Sequence, residues 1–67
     1  MNIDIRSHIL KNFKDANEED IENSIADSIK EGDDVTLPGL GVFFELLWTN
    51  SSKEEKKSIL NKLKNNI

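Results

Sequence analysis

The sequence predicts a small, mainly α-helical single domain spanning residues 1–67, and three observations predict it. Apolar residues recur at helical spacing in separate segments, cap residues mark helix starts, and only short polar connections lie between them. No cysteine is present and the sole histidine is His8, so packing or self-association must hold the chain together. A chain of 67 residues buries only about 60% of the surface it exposes when unfolded, which leaves little margin for uncovered apolar groups.

In the first segment Ile5, Ile9 and Phe13 recur at every fourth position with Leu10 beside them. This predicts an amphipathic helix that starts near Asn2 to Asp4, either of which can cap free amides, and ends near Lys14. Asn17 opens a second helix, because it can accept from the amide of Asp20 while Asp20 reaches back. Glu18, Glu19 and Asp20 then stand in the electropositive first turn, Ile21, Ile25 and Ile29 form the apolar stripe, and Lys30 followed by Gly32 supplies a stop. The two helices are expected to form an antiparallel hairpin around Asp15 to Asn17.

Asp33 and Asp34 make a polar connection to Val35-Thr36-Leu37-Pro38-Gly39-Leu40-Gly41, which reads as an extended or turning piece. Pro38 and Gly39 suit the central positions of a type II turn, in which a β-branched residue at 39 would be forced into a positive dihedral. For Val42-Phe43-Phe44-Glu45-Leu46-Leu47-Trp48, apolar residues fill both faces, so periodicity leaves helix and strand open. Unbranched Leu46, Leu47 and Glu45 favour a helix. Ser51 and Ser52 each precede a glutamate by three residues and can start a final helix, which runs to about Asn65.

Charge is divided along the chain. Residues 1–52 carry 4 basic and 11 acidic side chains, and residues 53–67 carry 5 and 2. An acidic body repels phosphate, and the one place with the opposite sign is the last helix. There Lys53, Lys57 and Lys64 lie within about 40° on a helical wheel, beside Ile59, Leu60, Leu63 and Ile67. They form either a solvated flank that offsets the helix dipole or a small anion contact, which makes them the candidate nucleic-acid residues.

Little in the sequence serves catalysis. His8 has no evident partner, and the serines lie at caps or inside helices, so no nucleophile, base and orienting acid can be assembled. The acidic run Glu18-Glu19-Asp20 lacks the spacing and glycine of a calcium loop, and no Lys-Ser or Lys-Thr pair follows Gly39-Leu40-Gly41 to make a phosphate cradle. No enzymatic activity, metal, cofactor or small-molecule substrate is expected. The apolar run Val42–Trp48 is far shorter than the roughly 20 residues of a membrane span, and a soluble intracellular protein is expected. What remains is the aromatic cluster. Phe43, Phe44, Leu47 and Trp48 are either the central core or a self-complementary surface of a homodimer.

The run Leu37-Pro38-Gly39-Leu40-Gly41-Val42, followed by Phe44-Glu45, Trp48 and a serine-capped helix, resembles the small acid-soluble spore protein I family of endospore-forming bacteria. The resemblance covers essentially the whole chain. It implies a non-enzymatic protein made in the forespore during sporulation and kept in the spore core. The chain does not resemble the α/β-type spore proteins that saturate DNA, and their function does not transfer with the shared name.

A shorter stretch, residues 29–43, resembles the helix-to-strand junction of HU-type nucleoid proteins at Lys30, Gly32, Asp33, Val35, Leu37, Gly39, Gly41 and Phe43. That likeness implies strands at Val35–Leu37 and Val42–Leu46 and an alternative role in weak nucleic-acid binding. The basic arm of such proteins has no counterpart here, and Pro38 cannot donate to a strand ladder. The residues expected to pack are Ile21, Ile25, Ile29, Leu37, Leu40, Phe43, Phe44, Leu47, Trp48, Leu60 and Leu63.

Overall fold

A computed structural model describes residues 4–67 as four helices, α1 (Ile5–Asn12), α2 (Glu18–Glu31), α3 (Leu37–Thr49) and α4 (Lys53–Asn65). The mainly α fold class holds, and no strand occurs among the described residues. The strands implied by the HU-type likeness are therefore overturned, and residues 42–48 are helical.

Three helix starts follow the local grammar of the sequence. Asp4 accepts from the Ser7 amide at 3.1 Å, and Asn17 and Ser52 each sit in a reciprocal capping box, with Asp20 and Glu55 respectively. Asn2 lies outside the described residues. Gly32 ends α2 in the left-handed region at φ 55° and donates its amide to Ser28 O at 2.8 Å. α1 stops at Asn12, slightly before the expected Lys14.

The expected type II turn at Pro38-Gly39 does not form. The turn lies upstream, where the Asp33 carboxylate accepts from the amides of Val35 (3.0 Å) and Thr36 (2.9 Å), and the Leu37 amide closes on Asp33 O at 3.0 Å. Pro38 then falls in the first turn of α3, where its missing N–H leaves no helical bond unmade. Gly39 and Gly41 are helical, and Gly32 is the positive-φ residue among those described. At the other end of α3, Thr49 Oγ1 donates to Glu45 O and Asn50 Nδ2 to Leu46 O, both at 2.8 Å. These side chains close the last turn.

α3 is the centre of the arrangement. α1 and α2 each pack against it rather than chiefly against one another. Phe13, which caps the end of α1, meets Phe43 of α3 edge to face, with ring centroids 5.2 Å apart and planes at 77°. A Cβ at Gly39 would lie 3.5 Å from Ile9 Cδ1, an ordinary contact, so α1 passes beside the start of α3 without requiring glycine there.

Burial departs most from expectation. Val42 is the one buried apolar residue among those described. Ile21, Ile25, Leu40, Phe43 and Trp48 are half-buried, whereas Ile29, Leu37, Phe44, Leu47, Leu60 and Leu63 are exposed. Periodicity had marked the apolar faces correctly, but four helices of this length do not wrap α3 on every side.

Candidate functional site

The predicted interface residues divide into an inward and an outward set. Phe43 turns into the helix junction against Phe13, and Trp48 lies half-buried with its ring stacked near that of Phe44, centroids 6.0 Å apart. Phe44 and Leu47 face outward, 44% and 53% exposed. Beside them runs an open groove of about 650 Å³ whose walls come from three helices, with Ile9 on α1 and Phe13 at its end, Ile21 and Ile25 on α2, and Leu40 and Leu46 on α3. Such a lining can take apolar side chains and offers almost no polar group to orient a small polar substrate.

One ion pair ties α1 to α3. Arg6 on α1 forks onto Glu45 on α3, with Nη2 donating to Oε2 at 2.6 Å and Nε donating to Oε1. This pairing across 39 positions gives the lone charge on α3 a partner, and planar donors matched to a carboxylate hold the two helices in register. The guanidinium hydrogen bonds keep the Glu45 carboxyl below its usual value and raise Arg6. Sequence reasoning missed this pair, because neither residue signals the other until α1 crosses α3.

Lys53, Lys57 and Lys64 all lie exposed on α4. The neighbouring Lys56 instead sits over the Trp48 ring, 5.2 Å from its centroid, which ties the start of α4 to the end of α3. Leu60 and Leu63 look into a crevice shared with Gly41, Phe44, Glu45 and Trp48. No anion-binding loop accompanies the lysines, since Gly39-Leu40-Gly41 is helical.

His8 lies exposed on α1, with Asn12 Nδ2 donating to its Nε2 at 2.9 Å. No group of three or more His, Cys, Asp or Glu side chains able to hold a metal ion occurs among the described residues. No helix among them is long and apolar enough to cross a membrane.

Comparison with known proteins places these features in a family. Residues 3–67 match the family model described as small, acid-soluble spore protein I. Similar proteins of that description include one from Halalkalibacterium halodurans, 39% identical over 88% of this chain and 87% of its own. Another, from Bacillus subtilis, is 36% identical over 100% of this chain and 94% of its own. A third, from Geobacillus kaustophilus, is 36% identical over 94% and 91%. No solved structure matches the chain.

Proposed function

The chain belongs to the small acid-soluble spore protein I family, and from that premise we propose that it is a non-enzymatic component of the spore core. It is made in the forespore and acts by association rather than by a reaction. The observation that carries this reading is the apolar surface around α3, where Val42, the one buried apolar residue among those described, is accompanied by exposed Leu10, Leu37, Phe44 and Leu47. Contiguous uncovered apolar surface on a soluble protein marks a site of contact with another macromolecule.

Solubility in acid follows from composition. Protonating the 13 carboxylates leaves nine Lys and Arg with His8, so a molecule of net charge −4 at neutral pH becomes strongly positive and copies repel. Nucleic-acid binding is not favoured by the net charge, because the lysines of α4 share the molecule with a more numerous set of carboxylates.

The test is fractionation of purified spores. A core protein survives chemical removal of the coat and is released into dilute acid only after the spores are ruptured. Its loss with the coat fraction, or its appearance in the mother cell before the forespore, would overturn the core assignment.

A further inference from the structure

We propose that the protein is completed by a second copy of itself, the basic helix α4 of each chain lying antiparallel along the acidic helix α2 of the other. This deepens the reading of the open apolar surface as a contact surface and rests on it.

The first observation is area. The chain exposes 5948 Å², about 1,600 Å² more than the roughly 4,300 Å² of a folded monomer of its mass. Its radius of gyration of 13.1 Å exceeds the roughly 11 Å of a compact chain of this length. A standard interface removes about 800 Å² from each partner, so the surplus is ample for one.

The second observation is that two of the uncovered surfaces match. On α2 a shallow apolar strip is formed by Ile21, Ile25, Ala26 and Ile29 with Glu18 and Glu22 at its edge, and no other helix contributes to it. Ile29 is 65% exposed. On α4, Leu60 and Leu63 border the crevice with α3 yet keep about half of their surface exposed, flanked by Lys57 and Lys64, and Ile67 is exposed just beyond the end of the helix. At 1.5 Å per residue the stripe from Ile21 to Ile29 is about 12 Å long, and α4, about 20 Å long, can lie along all of it.

Charge chooses the partner and the direction. α2 carries six carboxylates and one lysine, and α4 carries five lysines and two carboxylates. The ion pair among the described residues is Arg6–Glu45, so none of Glu18, Glu22, Lys57 and Lys64 has a charged partner among them. Antiparallel packing puts Lys64, near the carbonyl end of α4, beside Glu18 and Glu22 at the amide end of α2, and opposes the two helix dipoles. The outward face of α3 offers no such selection, since its lone charge, Glu45, is already paired. Reciprocal exchange of the two contacts closes a twofold dimer in which each α2–α4 pair is used once.

The experiment is sedimentation equilibrium of the purified protein at low and high salt, with two charge-reversed variants. One carries Glu18→Lys and Glu22→Lys, the other Lys57→Glu and Lys64→Glu. All four positions are exposed, and circular dichroism confirms that each variant stays helical. The wild type is expected to approach twice 7.6 kDa with rising concentration. Each variant alone should dissociate with a constant raised by about tenfold or more, and an equimolar mixture should restore association through complementary pairs. A wild type that stays monomeric at every concentration overturns the dimer. Variants that associate like the wild type, or a mixture that does not recover, overturn the α2–α4 contact. Purified protein is used throughout, so these outcomes are independent of where in the spore the protein resides.

Discussion

The glycines of the sequence give the sharpest test of the fold, because a turn and a helix demand opposite responses to the same substitution. Gly41 lies inside α3, and a Cβ built there meets nothing within 4 Å. Gly41→Ala therefore removes only the entropic penalty of glycine in a helix and is expected to stabilise the protein by about 0.5–1 kcal/mol. That corresponds to a rise of roughly 2–8 °C in melting temperature for a domain of this size. Gly39→Ala should also stabilise, since the new methyl would sit 3.5 Å from Ile9 Cδ1, an ordinary contact. Gly32 has φ 55°, and there alanine should cost about 1 kcal/mol or more.

The assay is thermal unfolding by circular dichroism at one fixed protein concentration, checked by urea unfolding on Trp48 fluorescence, because the proposed dimer would make stability concentration-dependent. A loss of stability in Gly41→Ala and Gly39→Ala, with no effect in Gly32→Ala, would refute the helix and restore a Pro-Gly turn.

Three further outcomes follow from named contacts. Asn17→Ala and Ser52→Ala each remove a capping acceptor and should cost about 1 kcal/mol in urea unfolding, with nearly additive effects because the caps serve different helices. Phe43→Ala should cost about 2 kcal/mol, less than a fully buried phenylalanine, and a cycle with Phe13→Ala should show coupling of about 0.5–1.5 kcal/mol from the edge-to-face pair. Stability should also fall in acid. The Ser7 hydroxyl holds Asp4 below the usual aspartate range and the amides of Thr36 and Val35 do the same for Asp33, while Arg6 and the Ser52 amide hold Glu45 and Glu55 below the usual glutamate range. A carboxyl depressed by folding stabilises fully above its unfolded value and loses that contribution as pH drops through the folded one. Melting temperatures measured from neutral pH downward should stay level to about pH 5 and decline below about pH 4, less steeply in Glu45→Gln.

The elements that sequence reasoning located are those governed by contacts three or four residues apart. Asp4, Asn17 with Asp20, Gly32, and Ser52 with Glu55 all do in the fold what their spacing implies. Pro38-Gly39 was misread because proline is as much at home in the first turn of a helix as in a turn. What decides between them is the Asp33 side chain, several residues upstream, which closes its own turn. Burial was the least legible property. The stripes of α2 and α4 identify apolar faces but carry no information on whether anything in the same chain lies against them, and Ile29, Leu60 and Leu63 show that little does. The Arg6–Glu45 pair was out of reach for a related reason, since it exists only once α1 lies across α3.

The most direct test of the whole account is solution NMR of residues 37–49, since α3 carries α1, α2 and the open surface alike. Helical carbon shifts from Leu37 to Thr49, with cross-relaxation between the rings of Phe13 and Phe43, are the predicted result. Extended shifts at Val42 to Leu46, or a positive dihedral at Gly39, would contradict it.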